Sequence, residues 1–133
     1  MAYKNEINTE KVTVNVAFVD LGQIDLLVEE GLYSNRTDLI RTALRNQLNT
    51  HNDILKKSVI RKQLVIGMHH YSKDDLEKAK KEGVRLQIKV LGFVGFNEDI
   101  TPQLAFDTIE YISVLGSFYA SKEVKAILKE KII

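Results

Sequence analysis

The stretch Lys11-Val12-Thr13-Val14-Asn15-Val16 alternates polar and apolar residues. Successive side chains of a β-strand point to opposite faces, so the three valines can enter a core while the three polar groups face outward together. A lone strand leaves its backbone hydrogen-bonding groups unpaired. Because this one precedes two helices, we expect it to pair with the same strand of a second chain.

Two amphipathic helices are predicted directly after this strand. The first spans about residues 20–30 and ends at Gly31, a residue type that often terminates helices. The second spans about residues 36–48 and follows Asn35, whose side chain can accept hydrogen bonds from free backbone N–H groups. Asp38 completes a pair similar to a capping box. The apolar stripe of the second helix consists of Leu39, Ile40, Ala43, Leu44 and Leu48.

Length and composition exclude several classes of protein. A chain of 133 residues with 44% hydrophobic content fits one ordinary globular domain or two small ones. The chain has no cysteine, which excludes disulfides, zinc–thiolate sites and cysteine nucleophiles. No apolar run reaches the roughly 18–20 residues of a membrane helix, and residues 1–6 lack the apolar core of a signal peptide. We therefore expect a soluble cytoplasmic protein without membrane contact.

Charge is distributed unevenly, although the formal net charge is only +1. Residues 1–53 contain five basic and eight acidic side chains, which is unusual for a domain that binds nucleic acid. Residues 54–62 contain four basic side chains and no acidic one. We interpret this segment as a basic linker or helix, either simply solvated or in contact with phosphates. Its basic residues are Lys56, Lys57, Arg61 and Lys62.

The polar residues 49–53 interrupt the apolar pattern and predict a domain boundary. The predicted organisation is a first domain at residues 1–53, the basic segment at 54–62 and a second domain at 63–133. Whether helix resumes at Ile54 is left open by the pattern.

The second domain contains an internal repeat of 24 residues. Eight positions of one copy match the next copy in residue type. The first of these copies contains Ile88, Val90, Leu91, Gly92, Val94, Asp99, Ile100 and Leu104. The next contains Ile112, Val114, Leu115, Gly116, Phe118, Glu123, Val124 and Leu128. A fainter copy lies 24 residues earlier, where Leu64, Ile66, Asp75 and Leu76 match but the glycine is displaced to Gly67.

Each repeat reads as an apolar strand, a capping residue and a helix. The predicted helices are residues 73–82, 103–110 and 122–131, capped by Ser72, Thr101 and Ser121. About three such units predict an α/β domain of stacked parallel strands. The alternative is a ferredoxin-like sandwich in which Gly92 or Gly95 turns a short hairpin.

At about residues 9–50 the chain resembles the ribbon-helix-helix DNA-binding proteins of the Arc, MetJ and CopG type. The resemblance rests on the strand Lys11–Val16, the helix that ends at Gly31, and the sequence from Gly31 to Leu44. It implies an α+β fold in which two chains pair their strands into an antiparallel ribbon, with two helices per chain. This ribbon would enter the major groove of double-stranded DNA.

Carried over by position, the resemblance implies that Lys11, Thr13 and Asn15 read base edges. Their chemistry suits that role, because lysine can donate to guanine, asparagine can pair with adenine, and threonine can bond a base or touch a thymine methyl group. The start of the second helix, at Ser34, Asn35 and Arg36, would hold a phosphate through free backbone N–H groups and the positive end of the helix dipole.

Other candidate sites are weaker. His69 and His70 are the densest group of nitrogen ligands, but neighbouring residues of a strand point to opposite faces and do not readily share one ion. We found no catalytic arrangement, and Gly92 and Gly95 fit a bend or a close approach of backbones better than a phosphate loop. We therefore predict no metal, no cofactor and no enzymatic activity.

The predicted function is a homodimeric transcriptional regulator of the repressor type. Residues 63–133 would serve a higher oligomer or ligand sensing. Two alternatives share the N-terminal domain. One is an antitoxin whose second half masks a toxin, and the other is a structural protein of DNA segregation or of the nucleoid.

Overall fold

The computed structural model describes residues 9–133 and contains two units. The first unit is Lys11–Arg61, and the second is residues 62–133 together with residues 9 and 10. The first unit contains three helices and the second contains a three-stranded sheet with its own helices. The chain is therefore mixed α/β.

The first unit is formed by α1 (Phe18–Glu29), α2 (Arg36–Thr50) and α3 (Asn52–Lys62), whose last residue belongs to the second unit. Gly31 ends α1 as predicted. It has a φ of +86°, its N–H bonds the carbonyl of Val28, and the N–H of Leu32 bonds the carbonyl of Leu27 at 3.1 Å. This is a Schellman motif, which glycine permits because it has no Cβ.

The basic segment is helical, and only His51 separates α2 from α3. The N–H of Leu55 bonds the carbonyl of His51, so helical bonding resumes at once. Residues 9–17, which include the predicted strand Lys11–Val16, form no hydrogen-bonded strand within this single chain. Pairing of that strand with a second chain stays a prediction.

No residue of Lys11–Arg61 is buried. The apolar residues of the unit are instead at the surface or only partly covered, and Val12, Val14 and Phe18 are 78%, 77% and 93% exposed. The predicted stripe of α2 is also mostly open, since Ile40, Leu44 and Leu48 are exposed. This unit thus has no hydrophobic core within one chain.

The second unit is built from β1 (Val65–Tyr71), α4 (Lys73–Glu82), β2 (Leu86–Phe96), α5 (Pro102–Thr108), β3 (Ile109–Tyr119), α6 (Lys122–Ile127) and a 3-10 turn at Lys129–Lys131. The strands lie in the order β1-β2-β3, and both pairs are parallel. Gly92 and Gly95 lie inside β2, so the alternative with a hairpin at either glycine is wrong.

The predicted caps of the helices are confirmed. The side chains of Ser72, Thr101 and Ser121 each accept a hydrogen bond from the backbone N–H three residues later. Two helix ends were predicted too late. The α5 helix stops at Thr108, because Ile109 already begins β3, and α6 stops at Ile127 before the 3-10 turn.

The 24-residue repeat corresponds to the register between β2 and β3. Ile88 pairs with Ile112, and Gly92 pairs with Gly116. Between β1 and β2 the offset is 25, because Gly67 lies beside Gly92 and Ile66 beside Leu91. The predicted match of Ile66 with Val90 is therefore wrong by one residue.

The glycines explain this register. Gly67, Gly92 and Gly116 form one row across the sheet, with φ values of +146°, +141° and +128°. A Cβ atom on Gly92 would overlap the carbonyl oxygen of Gly67, and one on Gly116 would overlap that of Gly92. The predicted close approach of backbones is thus confirmed. Each strand needs a glycine at the position that lies beside the glycine of the neighbouring strand.

The core of the second unit lies between the sheet and its helices. One face of β2 and β3 packs on apolar residues of the helices α4, α5 and α6. The sheet contributes Ile88, Val90, Val94, Phe96 and Ile112, and the helices contribute Leu76, Leu104, Ala105 and Val124. None of the helices that the structure describes is long and apolar enough to cross a membrane.

Candidate nucleic-acid interface

The three predicted base-reading residues lie in the segment before α1. Lys11, Thr13 and Asn15 are all exposed, and so are the valines between them. In this single chain the segment therefore alternates in residue type and not in burial, because the polar side chains and the valines are all exposed to solvent. The polar set presents a cation, a hydroxyl and an amide to any molecule that approaches.

The start of α2 is held by two side chain to backbone hydrogen bonds. Asn35 has an extended backbone, and its Oδ1 accepts the N–H of Asp38 at 2.8 Å. The carboxylate of Asp38 accepts the N–H of Ser34 at 2.9 Å, one residue before the position that a capping box would use. The predicted cap at Asn35 is confirmed, while the reciprocal bond is displaced to Ser34.

These bonds determine which donors a ligand could use. The N–H groups of Ser34 and Asp38 are occupied, whereas those of Arg36 and Thr37 belong to the first turn, where a helix supplies no acceptor. The positive end of the helix dipole lies at the same place. An anion at this helix start would therefore meet the N–H groups of Arg36 and Thr37, with the Ser34 hydroxyl nearby in sequence.

Arg36 is paired with Asp25 of α1. Its Nε and Nη2 atoms each donate to one carboxylate oxygen, both at 2.8 Å, and both side chains are about half exposed. The hydrogen bond from Arg36 lowers the pKa of Asp25, and the pKa of Arg36 is raised by the same bond. Arg36 thus joins the two helices, and its charge is neutralised by a neighbour that lies 11 residues away in sequence.

Further basic side chains lie on α2 and α3. Arg41 and Arg45 are exposed one helical turn apart on α2, and Lys56, Lys57 and Arg61 are exposed on α3. Arg41 and Arg45 are not among the residues that the sequence pattern assigns to DNA contact. The signal that could have identified them is their four-residue spacing, which places them on the same side of a helix.

The histidines form no cluster of ligands. The ring of His70 packs against Phe93 with 5.3 Å between centroids, while His69 lies at the register position of Val94, a core residue. Adjacent strand residues point to opposite faces, as expected for this pair. Within residues 9–133, no group of three or more His, Asp or Glu side chains is placed to hold a metal ion.

Comparison with known proteins assigns this arrangement to a family. The family model described as the ribbon-helix-helix transcriptional regulator family matches residues 7–125. An uncharacterized transcriptional regulator of Methanocaldococcus jannaschii is 29% identical over 75 residues, which cover 56% of the present chain and 55% of that relative. The chain thus aligns with only about half the length of this curated relative. No solved structure matches the chain.

Proposed function

Because the chain belongs to the ribbon-helix-helix transcriptional regulator family, whose members bind DNA, we propose that it is a sequence-specific repressor that acts as a dimer in the cytoplasm. Two copies of the segment Lys11–Val16 pair as an antiparallel ribbon and enter the major groove. The valines of the ribbon face the helices, and the polar residues face the bases.

The observation that carries this proposal is that no residue of Lys11–Arg61 is buried in one chain. Burial of apolar surface is the main favourable contribution to folding, and exposed apolar patches of this extent mark association surfaces. A second copy of the same unit supplies what one copy lacks. The apolar side chains that it would cover include Val12, Val14, Phe18, Leu44 and Leu48.

Sequence selection is assigned to Lys11, Thr13 and Asn15, which are all exposed on the segment that forms the ribbon. The free N–H groups at the start of α2 position the ribbon by binding a phosphate, with Asn35 fixing the shape of that start. Arg36 supports this contact indirectly, because its charge is shared with Asp25.

The test of base reading is the double variant Lys11→Ala with Asn15→Ala. Each base contact contributes about 1–3 kcal/mol of discrimination, and a dimer makes every contact twice, so specific affinity should fall by at least about 1,000-fold. Fluorescence anisotropy against the operator, identified by mapping bound sites in the cell, measures this. Lys78→Ala, an equal loss of charge on α4, should change little. Retention of specific binding by the double variant would refute the proposed role of the ribbon.

A second variant tests the restraint that Asp25 places on Arg36. Because Asp25→Asn removes the negative partner, Arg36 becomes available to a phosphate, and nonspecific affinity should rise. The slope of log K against log salt should steepen by about 1–2 for a dimer with two such arginines. Asp20→Asn makes the same charge change on the same helix without touching Arg36. Equal slopes for the two variants would show that the Asp25–Arg36 pair does not limit phosphate contact.

The alternatives share the ribbon and differ in the second unit. Antitoxin tails often become ordered only on binding a toxin, whereas residues 62–133 contain a hydrophobic core of their own, which favours a regulator. A protein of DNA segregation or of the nucleoid would coat nonspecific DNA cooperatively. Measured salt-dependent binding confined to discrete sites would favour the repressor.

A further inference from the structure

The second unit has a groove of about 350 Å³ at the amino ends of its strands, which we call the lysine groove. It is lined by Lys62, Leu64, Lys89, Ser113, Leu115 and Ile133. All six residues belong to the second unit, and the structure describes each of them. The bond of Glu10 with Ser117 lies further along β3, toward the carboxyl ends of the strands. The volume of the groove is at the lower end of the range found for small-molecule sites.

The strands β2 and β3 form the base of the lysine groove. Lys89 lies beside Ser113, so their side chains begin about 5 Å apart on the same face of the sheet. The residues before them, Ile88 and Ile112, are in the core on the other face. Leu115 lies two residues after Ser113 and therefore shares its face. The base thus has a polar row followed by an apolar residue.

One side of the groove is formed by Ile133, whose position is held by two sets of contacts. The N–H of Ile133 bonds the carbonyl of Ile112 at 3.0 Å. Two residues earlier, the ammonium group of Lys131 donates to the carbonyls of Phe106 and Ile109. The same ammonium group lies 3.9 Å from the centre of the Phe106 ring. These contacts fasten the segment to β3 and to the end of α5, so the side of the groove is fixed by the protein itself.

The two lysines of the groove are not paired with carboxylates. Within residues 9–133, no ion pair includes Lys62 or Lys89. The ammonium group of Lys89 lies 5.4 Å from the centre of the Tyr111 ring. The hydroxyl of Tyr111 donates to Gln87, and the amide of Gln87 donates to Glu110, which engages the nearby carboxylate. Two cationic groups at one groove favour an anionic ligand.

The lining indicates which kind of anion fits. Phosphate sites commonly use arginine side chains or the free N–H groups of a helix start. The lining residues include no arginine and no helix start, and their polar side chains are two lysines and one serine. The other three are leucine or isoleucine, which suit a ligand with an apolar body. A carboxylate on a hydrocarbon body satisfies both parts of the lining.

We propose that the lysine groove binds a small organic acid, a monocarboxylate whose apolar body contains about four to seven carbon atoms. Its carboxylate lies between the ammonium groups of Lys62 and Lys89, with the hydroxyl of Ser113 as a third donor. Its apolar body packs on Leu115 and against Ile133. The site gives the second unit a sensing role that the ribbon does not supply.

An NMR titration of the nitrogen-15-labelled full chain with hexanoate tests the site. The amide signals of Ser113 and Leu115 should shift in a saturable way, with a Kd of about 1 mM or lower for a ligand of about eight non-hydrogen atoms. Hexanamide is the matched probe, because it has the same shape and no charge. Since it forms no charge-assisted hydrogen bond, it should bind at least about 10-fold more weakly.

The variant Lys89→Gln tests whether the carboxylate binds where the groove places it. Because one of the two ammonium groups is lost, the Kd for hexanoate should rise by at least about 10-fold. Lys78→Gln is the control, since it removes the same charge from α4, which packs on the other face of the sheet. Its Kd should equal that of the unaltered protein. The remaining amide signals of each variant report whether the fold is retained.

Three results would overturn the proposal. The first is the absence of a saturable shift at about 20 mM hexanoate, well above the expected Kd. The second is equal affinity for hexanoate and hexanamide, and the third is an unchanged Kd in Lys89→Gln. Because the titration contains no DNA, each of these results would leave the proposed repressor function untouched.

Discussion

Replacing Val14 with aspartate is expected to unfold residues 11–61 and to abolish DNA binding. The unit has no buried residue within one chain, and in the proposed dimer its helices depend on apolar surface supplied by the second copy. A carboxylate in that interface would be buried without a partner in both copies, at a cost of several kcal/mol. Hydrogen exchange measured peptide by peptide should show loss of protection in α1 and α2, with α4–α6 unchanged.

The neighbouring substitution Thr13→Asp is the matched control. It adds the same charge one residue away, but on the polar side of the ribbon. That side is in contact with solvent when no DNA is bound. Its helices should stay protected while DNA binding is lost through repulsion of phosphates. If both variants lost protection equally, or if Val14→Asp kept it, the assignment of the two faces of the strand would be wrong.

Replacing Gly92 with alanine is expected to destabilise the second unit by at least about 3 kcal/mol. Its φ of +141° is unfavourable for alanine, and the added methyl group would overlap the carbonyl oxygen of Gly67. Because the overlapping atom belongs to the backbone of the adjacent strand, β1 and β2 would have to separate. Calorimetry should show a Tm lower by about 12 °C or more.

Gly95→Ala is the control in the same strand. Gly95 lacks a positive φ, and its added methyl group would meet the ring of Phe93, a side chain that can move. Its cost should stay below about 1.5 kcal/mol. Similar losses from both variants would show that crowding in β2, and not the row of glycines, determines the effect.

Local signals in the sequence predicted most of the secondary structure. Helix α4 has the predicted bounds, 73–82, because Ser72 and Asp75 form a complete capping box and Gly83 ends the helix with a φ of +72°. Helix α1 begins two residues earlier than predicted, at Phe18. The residue before it, Ala17, has no side chain that could cap the helix. A helix that starts without a polar capping residue has no local signal in the sequence at its first residue.

The register of the sheet depends on contacts between neighbouring strands, which the 24-residue repeat of the sequence does not specify. The offset of 24 describes β2 and β3, but β1 needs 25 because the row of glycines overrides the match of aliphatic residues. Gly67 was the visible sign of this, since it was displaced by one residue from the repeat.

The cap at the start of α2 was predictable from the sequence, and the pairing of Arg36 was not. Asn35 caps α2 as its residue type predicts. The bond between Asp25 and Arg36 joins two helices across a turn, and its formation depends on the angle at which they meet, which no periodicity encodes. The basic segment is helical, and residues 52–62 contain no glycine or proline that would interrupt a helix.

The lack of a core within Lys11–Arg61 also has a genetic consequence. If the chains pair as proposed, a chain altered at Val14 does not pair, the normal chains associate with each other, and the allele should be recessive. A chain altered at Lys11 and Asn15 would still pair, and its mixed dimers with the normal chain would have one half that lacks the base-reading side chains. Such an allele should be dominant over the normal one, although both alleles encode proteins that no longer bind the operator tightly.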